Sequence, residues 1–168
     1  DTKIPYYIVS SYNGVDFENL KYERIWDESP LPIDNPENAF RVILGDFVTT
    51  EDGTGIVHTA PTFGADDYKA AKSAKPEVPP LPVPDKNGNK VPLVDLKGKF
   101  IDDIGLISGK YVKNEFYKED EIPEKSVDVE IAIKLKEKNL AFRVERYTHS
   151  YPHCWRTDKP ILYYPICL

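Results

Sequence analysis

The sequence predicts an α+β domain, rich in β and barrel-like. Three observations carry this expectation. Short β-prone runs alternate with Gly, Pro and Asn turn signals over most of the chain. Only two stretches have helical character. The 168 residues, 40% of them hydrophobic, suffice for one core of useful size and match neither a disordered nor a membrane composition.

In chain order, Tyr6-Tyr7-Ile8-Val9 is strand-like and Tyr12-Asn13-Gly14 turns the chain after it. Tyr22 to Trp26 is a second strand candidate, and residues 27 to 38, with Pro30, Pro32 and Pro36, form a loop. Phe40 to Leu44, Phe47 to Thr50 and Ile56 to Ala60 are further strand candidates, punctuated by Gly45 and by Glu51-Asp52-Gly53. After Gly64, the run Ala65 to Lys72 favours a helix, with Asp66 and Asp67 in the first turn, where the helix dipole stabilises negative charge. Pro76 ends it. Six prolines between 76 and 92, with Asn87-Gly88 among them, give an extended segment with one hairpin-like turn. Residues 126 to 138 satisfy two patterns at once. Val127, Val129, Ile131, Ile133 and Leu135 alternate as in a strand, yet Ser126 suits an N-cap and Lys134, Lys136 and Lys138 suit a helix C-terminus. Helix is favoured. Phe142 to Tyr147 alternates as a strand should.

Charge and cysteine content restrict the function. The net charge of −6 disfavours a domain that grips nucleic acid by itself, because phosphate neutralisation supplies much of such affinity. Two cysteines, Cys154 and Cys167, are too few for a disulfide framework and suit a reducing cytoplasm. No apolar run approaches the roughly 20 residues of a membrane-spanning helix. The start at Asp1 and the absence of Met suggest a piece of a longer protein.

The densest chemical signal is Gly53-Thr54-Gly55-Ile56-Val57-His58-Thr59-Ala60-Pro61-Thr62-Phe63-Gly64-Ala65-Asp66-Asp67-Tyr68. Two glycines allow a close backbone approach to a ligand. A strand then delivers His58, and a turn leads into a helix whose start carries Asp67, so that a histidine and a carboxylate can face one cleft. Taken alone, the same residues also fit a structural histidine, helix-capping acids and a chance Gly-x-Gly.

This stretch resembles the editing-domain signature of bacterial-type isoleucyl-tRNA synthetases. Related synthetases share the Gly-Thr-Gly opening and the later Asp. His58 is more discriminating, since the valine and leucine enzymes generally carry other residues there, and Phe63-Gly64 also fits the isoleucine pattern. Arg41-Val42-Ile43 and Val48 to Asp52 extend the match upstream. A second match, His149-Ser150-Tyr151-Pro152-His153-Cys154-Trp155-Arg156-Thr157-Asp158-Lys159-Pro160, resembles the exit from the editing domain towards the Rossmann-type catalytic core. The middle of the chain matches only loosely.

The resemblance implies hydrolysis of valine wrongly joined to isoleucine tRNA, and of valyl-adenylate as a further candidate substrate. His58 and Asp67 would be the catalytic pair. Asp67 would bind the α-ammonium of the misplaced amino acid, and His58 would line the side-chain pocket and help exclude isoleucine. Gly53, Thr54, Gly55, Thr59, Thr62 and Phe63 would bind substrate. The family uses no protein nucleophile; a positioned water attacks the ester, assisted by a hydroxyl of the terminal tRNA adenosine. Such a second sieve answers a physical limit. One methylene discriminates by only about 1–3 kcal/mol in a hydrophobic pocket, and isoleucine against valine is the standard instance of that limit.

Two departures from the family pattern stand out. The threonine-rich peptide of the Trp-Thr-Thr-Thr-Pro-Trp-Thr type is absent, so one wall of the site is expected to be missing. Some members also place a second Cys, half of a zinc site, where Thr157 stands. His149, His153 and Cys154 lack a fourth ligand, and Pro152 argues against a helix between them, so no metal is expected. Lys110 to Lys118 interleaves basic and aromatic residues, as a base-stacking surface would, but acids from Glu119 to Glu121 follow directly. The adenylate-forming signatures His-x-Gly-His and Lys-Met-Ser-Lys-Ser are also absent.

The expected organisation is an editing domain over residues 1–150 and an exit segment over 151–168. No cofactor is expected in this part, with ATP and Mg²⁺ serving the parent enzyme. The expected partners are the 3′ end of isoleucine tRNA, its misplaced valine and the rest of the synthetase, in the cytoplasm and without a membrane. Two alternatives remain. One is a non-catalytic module that binds the tRNA end or acts as a scaffold; the other is a small-molecule enzyme using a His-Asp acid–base pair.

Overall fold

Ile104, Ile107 and Val127 are buried together, and Trp26, Leu93, Phe100, Ile101 and Ile131 pack around them. Each such aliphatic side chain removed from water contributes about 1.5–3 kcal/mol. This cluster joins three parts of the sequence that are far apart. The computed structural model describes residues 5–51, 53–146, 148 and 150–164.

Two α-helices stand where the sequence places them. Helix α1 spans Ala65–Ser73, with Gly64 as its N-cap residue and Ala71 fully buried on its inner face. Helix α2 spans Val127–Glu137 after Ser126. Its acids lie in the first turn and Lys134 and Lys136 in the last, as the dipole favours. The helical reading of this ambiguous segment therefore holds. Val127 and Ile131, four residues apart, reach the core, while Val129 and Ile133 are 45% and 37% exposed.

The paired strands are short. Strand β1, Val83–Pro84, and strand β2, Lys90–Val91, form an antiparallel two-stranded sheet in which Val83 faces Val91. Asp85 closes the hairpin. Its carboxylate accepts the N–H groups of Asn87 and Asn89, and Gly88 takes φ +80°, the left-handed value the turn requires. Elsewhere single antiparallel pairs hold the chain: Lys21 with Arg41, Val94 with Phe100, Lys99 with Tyr111, and His153 with Pro160.

The mixed α/β character is thus as expected, but the described residues are neither β-rich nor closed into a barrel: one sheet of two two-residue strands is all the ladder they form. Among the described residues, the strand candidates Tyr22 to Trp26 and Phe40 to Leu44 meet only at their starts, where residues 19–22 bond to 40–42 through Asn19 to Val42, Tyr22 to Phe40 and Val42 to Leu20. Residues 23–26 and 47–50 are not strands. Tyr6 to Val9, Ile56 to Ala60 and Phe142 to Arg146 lie outside any ladder; Tyr147 is outside the described residues. An alternating pattern supplies one face of a strand; the ladder needs a partner edge at the right spacing.

Arg41 ties the first part of the chain together. It is buried, and its guanidinium donates to the Asn38 carbonyl at 3.1 Å, to the Asn19 side chain and to the Pro76 carbonyl. Those bonds fix the loop that follows α1 against the segment that precedes the Gly-Thr-Gly run.

Candidate functional site

Gly53 and Gly55 take φ values of +72° and +74°, so both glycines are needed for the backbone of this turn. The Thr54 hydroxyl closes the turn by accepting the Ile56 N–H at 3.3 Å and donating to the Ile56 carbonyl at 3.2 Å. Asp52 lies outside the described residues. The chain then passes, in neither helix nor strand, through His58, which is exposed, to half-buried Thr59 and Ala60.

Ala60 is the pivot between this run and α1. Its carbonyl accepts the Phe63 N–H at 2.9 Å, which makes residues 60–63 a tight turn. Its N–H donates to Asp67 Oδ2, also at 2.9 Å. The Asp67 carboxylate, half-buried in the first turn of α1, therefore reaches back to a residue two positions beyond His58. Among the described residues it forms no ion pair. Asp66 instead points outward and pairs with Lys69 at 3.2 Å.

Next to this turn lies an open cleft of about 340 Å³. Pro61, Thr62, Phe63, Gly64 and Tyr68 form one side, and Pro80, Tyr163 and Tyr164 are among the residues that complete it. The Thr62 hydroxyl accepts the Leu81 N–H at 3.1 Å, which fixes the Thr62 side chain and brings the segment containing Pro80 alongside. Phe63 and Tyr164 meet edge to face, with ring centroids 6.4 Å apart. Burial, and secondarily the charge of Asp95, pushes the Tyr164 hydroxyl above the ordinary phenol range. A pocket with aromatic walls and few polar groups suits a small ligand held largely by contact area.

The expected site residues thus fall into three groups. Thr62 and Phe63 line the cleft. Asp67 and Thr59 stand beside it on the Ala60 turn, and His58 precedes them on the exposed run; none of these three lines the cleft. Gly53, Thr54 and Gly55 form a separate turn. Tyr68, Pro80, Tyr163 and Tyr164 were not expected. Tyr68 follows Asp67 directly and was within reach of the motif, but Tyr163 and Tyr164 lie some hundred positions away and carry no local signal.

At the far end, Cys154 begins a tight turn. Its carbonyl accepts the Asp158 N–H at 2.8 Å and its N–H donates to the Lys159 carbonyl at 2.9 Å. The Thr157 hydroxyl, and then the Arg156 and Thr157 N–H groups, hold the Cys154 thiol below its ordinary pKa. The His153 ring Nδ1 lies 2.9 Å from the Asp158 carbonyl. Among the described residues no three His, Cys, Asp or Glu side chains gather as metal ligands. His149 and Cys167 lie outside those residues.

No family model matches the chain. Curated relatives do. The isoleucine–tRNA ligase of Cytophaga hutchinsonii is 50% identical over 99% of the chain. That of Porphyromonas gingivalis is 47% identical over 97%, and that of Clostridium tetani 42% identical over 95%. The chain is homologous to a segment of isoleucine–tRNA ligases. It spans about 15% of the length of the first two relatives and 13% of the third. The stretch that these longer relatives share with the chain includes the Gly-Thr-Gly turn, the Ala60–Asp67 hook and the residues of the aromatic cleft. No helix among its described residues is long and apolar enough to cross a membrane.

Proposed function

We propose that this ligase segment is the hydrolytic editing domain of an isoleucine–tRNA ligase, and that it removes valine misattached to isoleucine tRNA. The observation that carries the reading is the Asp67 carboxylate. It is half-buried, held by one backbone N–H, without an ion pair among the described residues, and next to an aromatic-walled cleft. A fixed, uncompensated carboxylate in such a place suits the α-ammonium of an aminoacyl ester. Thr62 and Phe63 would receive the acyl part, with Thr59 and His58 at the approach to it. The backbone of Gly53, Thr54 and Gly55 would complete the substrate site, and a water would be the nucleophile. Valyl-adenylate is the second candidate substrate.

On this reading residues 1–150 form the editing unit, and 151–168 lead towards the catalytic core. The barrel-like closure belongs to the complete enzyme, where further chain can pair with the extended runs. ATP and Mg²⁺ serve the ligase step elsewhere in that enzyme, and this segment is assigned neither. Its partners are the 3′ end of isoleucine tRNA and the rest of the synthetase, in the cytoplasm. The exposure of His58 favours one rival, a module that holds the tRNA end without turnover.

The test is Asp67→Asn beside Asp67→Ala in the complete synthetase. Asparagine keeps an acceptor for the Ala60 N–H and removes only the charge. Losing a hydrogen bond to a charged group costs about 1.5–3 kcal/mol. Both variants are therefore expected to slow hydrolysis of valyl-tRNA about 10- to 100-fold. Isoleucine-dependent ATP–pyrophosphate exchange should be unchanged. Equal damage to both activities would make Asp67 a structural residue, and tRNA binding without valine release by the wild type would favour the rival.

A further inference from the structure

The geometry points to Gly64 as the residue that positions the Asp67 carboxylate. Gly64 has φ −137° and ψ 133°, an extended conformation open to any residue, so its backbone does not call for glycine. Space does. A Cβ at position 64 would stand 2.6 Å from Asp67 Oδ2 and 2.8 Å from Asp67 Cγ, closer than real Cβ atoms come to either. The oxygen it would meet is the one that accepts the Ala60 N–H. Gly64 also gives its carbonyl to the Tyr68 N–H at 2.9 Å, the first bond of α1, so it cannot withdraw without disturbing the helix start.

The carboxylate is therefore confined from two sides. The Ala60 N–H attracts Oδ2, and the bare Cα of Gly64 leaves the volume in which Oδ2 sits. Any side chain at 64 pushes the carboxylate off Ala60, away from the orientation in which it would meet a ligand ammonium. Misplacement by about 1 Å of a group that orients substrate can cost a hundredfold in rate. Gly64 touches no reacting atom in this scheme; it acts through Asp67. The functional half of the inference rests on the editing reading above, whereas the geometric half does not.

The experiment is a double-mutant cycle in the complete synthetase with Gly64→Ala, Asp67→Asn and the pair. Gly64→Ala is expected to slow valyl-tRNA hydrolysis at least tenfold. It should leave hydrolysis of the 2-hydroxyisovaleryl ester, which has no ammonium, near the wild-type rate. The pair should be no slower than Asp67→Asn alone. Multiplicative losses in the cycle, or equal slowing of both esters, would overturn the role. Amide exchange at Ala60 provides a readout independent of editing. Gly64→Ala should speed that exchange even if Asp67 proves irrelevant to hydrolysis, and unchanged exchange would overturn the inference. Should Gly64→Ala lower the melting temperature sharply, adding Asp67→Ala removes the group that the new Cβ meets and should restore it. Failure to restore it would locate the conflict elsewhere and overturn the proposal.

Discussion

At Cys154, three donors converge on one sulfur: the Thr157 hydroxyl and the Arg156 and Thr157 amides. All three stabilise the thiolate, so the thiol ionises below its ordinary range. Thr157→Val removes the largest contribution and should raise that pKa. Iodoacetamide labelling in a Cys167→Ser background is then expected to shift its pH midpoint upward and to slow at neutral pH. An unmoved midpoint would leave the backbone amides as the sole cause. Asp85 is the corresponding carboxylate. The Asn89 side chain, with the Asn89 and Asn87 amides, holds it below the usual value. Its folded pKa lies under its unfolded one. The stabilisation is therefore complete above the unfolded value, about 3.9, and is lost as pH falls through the folded one. Asp85→Asn should accordingly flatten the acid limb of the thermal stability curve, and an unchanged limb would show that the hairpin does not depend on this charge. The legibility of the site follows the same local logic. Thr62, Phe63, Gly64 and Asp67 stand in one short run, so their proximity could be read directly. The Ala60 N–H that holds Asp67, and the Tyr164 ring that meets Phe63, are tertiary facts that no spacing encodes.

Among the elements, α2 was legible and most strands were not. The apolar alternation from Val127 to Leu135 mimics a strand, but the capping serine, first-turn acids and last-turn lysines all agree on a helix. The surplus apolar residues, Val129 and Ile133, are exposed and gave the false period. A strand has no equivalent of a cap. Tyr7 is 86% exposed and Phe142 is 86% exposed because an extended run buries its apolar face only when another element covers it. What holds α2 in place was also invisible in sequence. Lys134 pairs with Glu28 and lies over the Trp26 ring at 4.7 Å, and Lys138 pairs with Asp27 at 2.9 Å. Glu28 also accepts the Leu106 N–H at 3.0 Å, and a Cβ at Gly105 would run into its carboxylate. Residues 26–28 thus clamp α2 to the core. Glu28→Gln leaves Lys134 half-buried without its counter-charge, at a cost of about 1–3 kcal/mol. Each kcal/mol should lower the melting temperature by about 2–4 °C for a chain of this size. A melting temperature unchanged by this substitution would mean that the cation–π contact alone holds Lys134.

For the whole molecule, charge bears on how firmly the chain could hold tRNA if it edits as proposed. The net charge is −6, and many lysines are already matched: Lys69 to Asp66, Lys90 to Asp34, Lys110 to Glu130, Lys118 to Glu121, Lys134 to Glu28 and Lys138 to Asp27. Acidic residues outnumber basic ones 28 to 22, so the remaining cations would meet tRNA phosphates on a surface that is negative overall, and each phosphate neutralised contributes a slope of about −0.7 to −0.9 to log K against log salt. The chain covers about 15% of the length of relatives such as the Cytophaga hutchinsonii enzyme; if it edits as proposed, most of the surface that meets tRNA is expected to lie in other parts of a synthetase. The 168-residue chain should therefore bind isoleucine tRNA weakly and with a shallow salt dependence, while the complete synthetase binds tightly and steeply. Hydrolysis should follow binding. At equal concentration and low salt, the chain is expected to release valine from mischarged tRNA far more slowly than the complete enzyme, and saturating tRNA should narrow the gap only in part. The remaining gap would measure substrate positioning rather than affinity, since a ligand held from one side reacts slowly even when bound. Titrations across a salt series, with single-turnover hydrolysis at saturating tRNA, separate the two contributions. If the chain matched the complete enzyme in affinity, salt slope and turnover, the other domains would contribute nothing to editing, and net charge would not limit the chain.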